Sequence, residues 1–250
     1  MSFKDKVAIV TGGGRDIGRE VSIKLAAAGA KVCINFANDE ASAQETLRRI
    51  VDAGGQAILH RADVTQADAV DGLVAATRAA FGDRIDVLIN VAGGMVARKP
   101  LADIDEAYFH QVMDLNLKSV YLTTRAVVPH MGEGASIVNF ASLAGRDAGG
   151  PGAAMYATSK GAVMTFTRAM AKELGPRGIR ANALCAGMID TRFHDEFTKP
   201  EVRVAVANST PLRRQGRPEE AADAALYLAS DAASFINGAN LDINGGAYFS

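Results

Sequence analysis

The chain has 250 residues, of which 48% are hydrophobic and 22% are charged. These proportions are ordinary for a globular protein and exclude a disordered, collagen-like or coiled-coil chain. Its 28 acidic and 27 basic residues leave a formal net charge of -1, so we expect no broad positive surface for nucleic acid. A doubly wound α/β fold commonly reaches this length in one piece, which predicts a single domain over residues 1–250.

The cysteine pattern and the apolar pattern both argue against other classes of protein. Cys33 and Cys185 show no paired spacing for zinc or an iron cluster, so we expect no metal site and interpret both thiols as small buried groups in strands. Residues 1–6 are charged and lead straight into a strand without the apolar run of a signal peptide. No apolar run approaches the length of a membrane span. These features predict a cytoplasmic protein without a membrane partner.

Short apolar runs alternate with helical patterns along the chain. The first unit is a strand at Val7–Val10, a glycine turn and a helix at Ile17–Ala28. The further predicted strands are Lys31–Phe36, Gln56–Arg61, Val87–Ile89, Ala135–Phe140, Arg180–Leu184 and Asn240–Ile243. The further predicted helices are Glu40–Ala53, Ala67–Phe81, one or two within Asp105–Met131, Tyr156–Leu174 and Glu219–Ala229.

This alternation determines the predicted fold class. Strands separated by helices of this length indicate right-handed crossovers, and therefore a parallel sheet with helices on both faces. We predict a single-domain α/β protein with a Rossmann doubly wound parallel sheet, which binds ligands at the carboxyl ends of its strands. The glycine-rich stretch Gly145–Gly152 is interpreted as an active-site loop. Residues 187–218 carry no clear element and are interpreted as a lid over the site, here named the lid segment.

The turn after the first strand reads Thr11-Gly12-Gly13-Gly14-Arg15-Asp16-Ile17-Gly18. Glycine permits positive φ and lets backbone N–H groups at a helix start approach a phosphate. Glycine-rich turns also serve as plain tight connections. The position of this turn after the first strand of an alternating chain favours dinucleotide binding.

Tyr156 and Lys160 lie four residues apart, and therefore on one face of a predicted helix. A nearby ammonium group stabilises a phenolate, which would lower the pKa of Tyr156 and make it a usable general acid and base. A solvated lysine beside a half-buried tyrosine would give the same spacing. Ser142 after one strand, Asn116 in a helical stretch and Asn90–Gly93 after another strand strengthen the signal, because all can converge on one sheet edge.

Together these motifs resemble the short-chain dehydrogenase/reductase family, and the resemblance extends to the closing Leu241-Asp242-Ile243-Asn244-Gly245-Gly246. The resemblance implies a catalytic tetrad of Asn116, Ser142, Tyr156 and Lys160. Tyr156 would exchange a proton with the substrate and Ser142 would hold its oxygen. Lys160 would lower the Tyr156 pKa and bind the nicotinamide ribose, while Asn116 would position a water. The family also implies a homotetramer, and the complete tetrad argues against a catalytically silent dinucleotide-binding regulator.

The resemblance also assigns residues to the cofactor. The implied cofactor-binding residues are Gly12, Arg15, Ile17, Gly18, Phe36, Asp63, Val64, Asn90, Ala92, Gly93, Tyr156, Lys160, Gly187, Ile189 and Thr191. Phe36 stands where NAD-preferring relatives carry an acid, and Arg15 matches a basic residue of NADP-preferring relatives. These two residues predict NADP(H), whereas Asp39 would favour NAD if it folded back onto the ribose. Asp16 departs from the family by replacing a glycine, and Asp63 could instead cap the next helix.

The substrate is predicted to be small and polar. Residues 93–100, 149–152 and 190–194 resemble the reductases of keto sugar acids from uronate breakdown. A sugar acid needs a cation for its carboxylate, and the candidates are Arg98, Lys99, Arg146, Arg192 and His194. The alternative is a 3-oxoacyl thioester on an acidic carrier protein. It is disfavoured because Pro129–Gly134, the expected docking segment, has no Lys or Arg. We thus predict an NADP(H)-dependent oxidoreductase of a carbonyl or alcohol substrate, with a keto sugar acid as the leading candidate.

Overall fold

Seven parallel strands form the central sheet of the computed structural model, which describes residues 1–250. The strands are β1 (Val7–Thr11), β2 (Lys31–Phe36), β3 (Gln56–Arg61), β4 (Val87–Asn90), β5 (Ser136–Phe140), β6 (Arg180–Ala186) and β7 (Asn240–Ile243). Their order across the sheet is β3-β2-β1-β4-β5-β6-β7. The winding reverses between β1 and β4, which opens a crevice at the carboxyl ends of these strands. The predicted doubly wound sheet and single domain are confirmed.

Helices cover both faces of this sheet. They are α1 (Asp16–Ala27), α2 (Glu40–Asp52), α3 (Ala67–Phe81), α4 (Glu106–Met113), α5 (Ser119–Val127), α6 (Ala144–Asp147), α7 (Ala154–Leu174), α8 (Arg192–Phe197), α9 (Pro200–Ser209) and α10 (Pro218–Ala229). Three of them fall where no helix was predicted: α8 and α9 lie within the lid segment, and α6 lies within the loop before α7. None of the helices combines the length and the apolar character needed to cross a membrane.

The side chains of β1 alternate between two apolar cores. Ala8 and Val10 pack in the core beneath α1, α2 and α10, whereas Val7 and Ile9 pack in the core beneath α3, α5 and α7. Because both faces are covered, every residue of β1 is buried and the strand is apolar up to Thr11. The glycine turn follows directly, and so the packing of β1 fixes its position at the crevice.

A chain of buried polar side chains joins β4 and β5 to the helices on one face. Thr123 Oγ1 donates to Asn90 Oδ1 at 2.8 Å, and Asn90 Nδ2 donates to Asn139 Oδ1 at 2.9 Å. Asn139 Nδ2 in turn donates to Thr167 Oγ1 at 2.9 Å. All four residues are buried, so the two asparagine side chains depend on these neighbours for their hydrogen bonds, whereas the threonine hydroxyls also contact carbonyl oxygens of their own helices.

Thr123→Val should lower the free energy of unfolding by about 1–3 kcal/mol, because it leaves Asn90 Oδ1 buried without its donor. Thr124→Val is the matched control. The Thr124 hydroxyl is buried on the same helix and has no hydrogen-bond partner, so the same substitution there should leave stability unchanged or raise it. Urea unfolding of both variants measures the difference. Equal stabilities would mean that the polar chain contributes no net stability.

Candidate active site

A cavity of about 810 Å³ opens at the carboxyl ends of β1, β4, β5 and β6. Its walls reach from the glycine turn after β1 to the Tyr156 face of α7, and the lid segment contributes a further wall. This volume is large enough for a small-molecule ligand. The crevice predicted from the strand order therefore has the volume of a ligand site.

Tyr156, Lys160 and Ser142 line one part of this cavity. Lys160 lies one helical turn after Tyr156 on α7, with its Nζ 5.9 Å from the centre of the Tyr156 ring. The same Nζ donates to the carbonyl oxygen of Phe140, at the end of β5, at 2.7 Å. Ser142 follows two residues later, and its Oγ accepts from the backbone N–H of Ala144 at 3.1 Å. The strand end and the helix together bring the three side chains to one place.

Burial controls the pKa values of this group. Burial raises the pKa of Tyr156, and a hydrogen bond with Ser142 acts in the opposite direction. Burial also lowers the pKa of Lys160 to about 8. Burial outweighs the Ser142 hydrogen bond because a low-dielectric site disfavours phenolate and ammonium alike, and the lowering of the Tyr156 pKa by Lys160 stays a prediction. Tyr156 is a protonated phenol at neutral pH, which is the state that can donate a proton.

Asn116 lies in a single π-helical turn, Asp114–Lys118, between α4 and α5. Its Nδ2 donates to the carbonyl oxygens of Val112 at 2.9 Å and of Gly94 at 2.8 Å. Its Oδ1 accepts from the Gly94 N–H at 3.0 Å. The bond to Val112, four residues earlier, occupies an acceptor of the helical ladder and gives a reason for the π turn. Asn116 thus holds the loop after β4 against α4.

Gly93 lets Asn116 and Lys160 approach the same point. A methyl group on Gly93 would lie 2.8 Å from Asn116 Oδ1 and 3.0 Å from Lys160 Nζ, both closer than ordinary contacts. A methyl group on the next residue, Gly94, would have its nearest neighbour, Leu115 Cδ2, at an ordinary 3.6 Å. The absence of a side chain matters at the first glycine and much less at the second.

Gly93→Ala should therefore lower kcat by about tenfold or more, because it displaces Asn116 and Lys160 from their present positions. Gly94→Ala changes the same amount of side chain next door and should cause a clearly smaller loss. Steady-state kinetics of both variants, with melting temperatures as a check on folding, measures the effect. Comparable losses at the two positions would show that the close approach at Gly93 is unimportant.

The glycine turn fits the phosphates of a dinucleotide. Gly12 has a φ of +62°, and a methyl group there would lie 3.0 Å from the Ala92 backbone nitrogen. A methyl group on Gly18 would collide with the Gly12 carbonyl oxygen. The turn leads into the 12-residue helix α1, whose first N–H groups attract anions. Only hydrogen fits at these two positions, so glycine lets the turn pack closely against Ala92 and against the first turn of α1.

Most of the predicted cofactor residues line the cavity: Gly12, Arg15, Ile17, Gly18, Ala92, Gly93, Tyr156, Lys160, Gly187, Ile189 and Thr191. The structure does not bring the remaining four there. Phe36 and Val64 are buried in the protein, and the Asn90 side chain is occupied by the polar chain described above. Asp63 Oδ1 accepts from the Thr65 N–H at 2.9 Å and closes a turn before α3. None of the four residues lines the cavity, and their assignment to the cofactor stays a prediction.

Two of the predicted substrate cations point to other partners. Lys99 Nζ lies 4.6 Å from the centre of the Tyr108 ring. Arg146 Nε pairs with Asp242 Oδ1 at 2.7 Å, and its Nη2 donates to the Asn240 carbonyl oxygen at 2.6 Å. Neither residue lines the cavity, so the structure does not bring them to the site, and their assignment to a substrate carboxylate stays a prediction.

Arg98 and His194 do line the cavity, but both have structural partners. Arg98 donates to the carbonyl oxygens of Phe197 at 2.9 Å and Pro151 at 3.0 Å, and so joins the end of α8 to the loop before α7. His194 Nδ1 lies 3.0 Å from Thr198 Oγ1. Burial, reinforced by nearby arginines, lowers the pKa of His194 to about 4, so it carries no charge at neutral pH.

The fifth candidate cation, Arg192, lies at the corner between the glycine turn and the end of β2. Its Nη1 donates to Asp39 Oδ2 at 2.9 Å, and its backbone N–H lies 3.4 Å from Asp16 Oδ1. It does not line the cavity, and so it lies apart from Arg98 and His194. Asp16 has a φ of +49°, in the left-handed region that favours glycine and that aspartate tolerates better than most residues.

The cavity also has an aromatic wall that the sequence patterns did not predict. The ring of Phe193 on α8 lies 5.6 Å from the Tyr156 ring and 5.2 Å from the Phe197 ring, centre to centre. Val202 and Val206 on α9 continue this wall. The four-residue spacing of Phe193 and Phe197 was the available signal, because it places both on one helix face.

No group of three or more potential ligand side chains is placed to hold a metal ion.

The lowered pKa of His194 predicts a loss of stability in mild acid. The unfolded chain binds this proton near pH 6.5 and the folded chain near 4, so stability falls as pH drops between these values. His194→Asn should remove this part of the loss, which is at most about 3 kcal/mol. Urea unfolding at about pH 7 and about pH 5 checks it, with His110→Asn at an exposed histidine as control. An unchanged pH dependence in His194→Asn would refute the assignment.

A family profile described as enoyl-(acyl carrier protein) reductase matches residues 12–248, nearly the whole chain. The chain belongs to the short-chain dehydrogenase/reductase family. It is 39% identical to the 3-oxoacyl-[acyl-carrier-protein] reductase of Synechocystis sp., with 96% of each chain covered. It is 38% identical to the cyclopentanol dehydrogenase of Comamonas sp., with 97% of this chain and 96% of that one covered.

Two solved structures extend the comparison. A short-chain dehydrogenase from Burkholderia cenocepacia in complex with NADP is 30% identical with a TM-score of 0.92, covering 99% of both chains. The NADH-dependent reductase A1-R′, responsible for alginate metabolism, is 36% identical with a TM-score of 0.90 and the same coverage. As a member of this family, the protein is an oxidoreductase of carbonyl and alcohol groups that uses a nicotinamide dinucleotide.

Proposed function

We propose that this short-chain dehydrogenase/reductase interconverts a carbonyl group and an alcohol on a small substrate, with NADP(H) as its cofactor. The observation that carries the proposal is one cavity lined both by the glycine turn and by Ser142, Tyr156 and Lys160. A dinucleotide bound at the turn would extend towards these side chains, since the cavity is continuous between them.

The residues of the chain handle the proton and the substrate oxygen, while the nicotinamide, when bound, supplies or accepts the hydride. In reduction, Tyr156 donates its proton to the oxygen on which negative charge develops. The Ser142 hydroxyl donates a hydrogen bond to the same oxygen and stabilises that charge. The Lys160 ammonium, near the Tyr156 ring, then stabilises the phenolate that remains. Asn116, through its hydrogen bonds with the Gly94 backbone, holds the loop after β4 beside Lys160.

Three observations support NADP(H) over NAD(H). Phe36 offers no carboxylate at the end of β2 to hold a ribose 2′-hydroxyl. The Asp39 carboxylate could hold the ribose 2′-hydroxyl in place of an acid at position 36. It already accepts from the Ser42 N–H at 3.0 Å, however, and pairs with Arg192. Arg15 lines the cavity with 42% of its side chain exposed, so it is available to a 2′-phosphate. Of the two solved structures compared above, one is an NADP complex and the other is NADH-dependent, so the family alone leaves this choice open.

The walls of the cavity favour a compact, uncharged carbonyl compound. Phe193 and Phe197 provide an apolar surface close to Tyr156, and Met95 and Met188 also line the cavity. The cyclopentanol dehydrogenase of Comamonas sp. is named for a compact, uncharged alcohol, the reduced form of such a compound. Three of the five predicted carboxylate-binding residues lie elsewhere, which weakens the keto sugar acid.

The keto sugar acid stays a second candidate for two reasons. Arg98 lines the cavity and keeps its Nη2 donors, since its two hydrogen bonds use Nε and Nη1. The chain is also similar to a reductase responsible for alginate metabolism.

The 3-oxoacyl thioester is the remaining alternative, supported by the Synechocystis relative. The absence of Lys and Arg from Pro129–Gly134 does not count against it, because this segment precedes β5 and lies at the amino end of that strand, away from the cavity.

The predicted homotetramer stays a proposal, which gel filtration would test.

The first experiment is NADPH and NADH oxidation with cyclopentanone, a keto sugar acid and a 3-oxoacyl thioester, each with Tyr156→Phe as control. We expect turnover of at least one ketone with NADPH, and a loss of about 10²–10⁴-fold in Tyr156→Phe while NADPH binding survives. Turnover that persists in Tyr156→Phe would contradict the proposed proton donor. NADPH binding without turnover of any carbonyl compound would support a silent regulator instead.

A further inference from the structure

The first residue of the lid segment's helix α8 bridges two elements that enclose the adenosine half of a dinucleotide in this fold. On one side, the Arg192 N–H lies 3.4 Å from Asp16 Oδ1 in the glycine turn. On the other side, Arg192 Nη1 lies 2.9 Å from Asp39 Oδ2, three residues beyond the end of β2. The lid segment is thus tied to the cofactor end of the cavity as well as to the substrate end.

Two guanidinium groups and two carboxylates meet at this corner. Arg15 Nη1 lies 3.3 Å from Asp16 Oδ2, and Arg192 contacts both Asp16 and Asp39. The side chains of Arg15 and Arg192 are 42% and 55% exposed, so water screens these ion pairs and either arginine can take a new anionic partner. Hydrogen bonds from Ser42 and the charge of Arg192 lower the pKa of Asp39, which therefore stays ionised while it orients Arg192.

We propose that Arg192 is a specificity-determining residue that binds the 2′-phosphate of NADP(H) together with Arg15, and that it is not a substrate residue. This inference rests on the proposed NADP(H) preference. A phosphate monoester has three acceptor oxygens and nearly two negative charges, which match the planar fork of a guanidinium group. Arg192 already stands at the strand end where a fold of this type reads the ribose 2′ position. Because it begins α8, the same contact holds the lid segment in place when the phosphorylated cofactor is bound.

The test measures binding of cofactor fragments by calorimetry, so it needs no turnover. The probes are 2′,5′-ADP, which carries the 2′-phosphate, and 5′-AMP, which lacks it. Arg192→Ala should weaken 2′,5′-ADP about tenfold or more and change 5′-AMP by less than about twofold. NADPH and NADH should show the same contrast. Arg192→Lys keeps the charge but loses the fork, and should recover part of the affinity for 2′,5′-ADP.

Lys199→Ala is the matched control, because it removes one positive charge from an exposed residue of the same segment. It should leave both affinities unchanged. Equal losses in Lys199→Ala and Arg192→Ala would overturn the inference in favour of a general charge effect, and so would an Arg192→Ala variant that still binds 2′,5′-ADP fully. A wild-type protein that binds both fragments equally would overturn the NADP(H) preference itself, while leaving the carbonyl chemistry at Tyr156 in place.

Discussion

The Lys160 ammonium group is the point on which the geometry of the site depends. A buried ammonium is costly unless hydrogen-bond acceptors surround it, and this one is held by the Phe140 carbonyl oxygen at 2.7 Å. That carbonyl lies at the end of a strand, where the sheet no longer uses it. Asn116 approaches from the other side, and Gly93 leaves the space that both require. The site therefore exists because α7, the end of β5 and the loop after β4 meet around one charge.

The lid segment joins the two halves of the cavity through neighbouring residues of one short helix. Arg192 points to the cofactor corner, whereas Phe193 and His194 line the cavity on the substrate side. Successive residues of a helix point about 100° apart, so three consecutive side chains can serve different walls. Arg98, which bonds to the Phe197 carbonyl oxygen, ties the end of the same helix to the loop after β4.

Membership of the family determines the reaction type but leaves the substrate open. Relatives that cover nearly the whole chain at almost equal identity are named for an acyl-carrier substrate and for a cyclic alcohol. Shared folds host many substrates because the scaffold and the chemistry are separate from the walls of the pocket. In this protein those walls come largely from the lid segment and from the loop after β4. Their apolar lining, together with the engagement of most nearby cations, is the physical basis for favouring an uncharged ketone.

The sequence by itself determined the order of strands and helices, the glycine turn and the pairing of Tyr156 with Lys160. These features are local: periodicity and short spacing report which residues share a strand face or a helix face. The tertiary structure alone decided where the long charged side chains go. Arg146 meets Asp242 across 96 positions and Arg192 meets Asp39 across 153, and no spacing rule reaches so far. Long arginine side chains on loops pair with whichever carboxylate or carbonyl the fold brings near, so their partners depend on packing rather than on pattern.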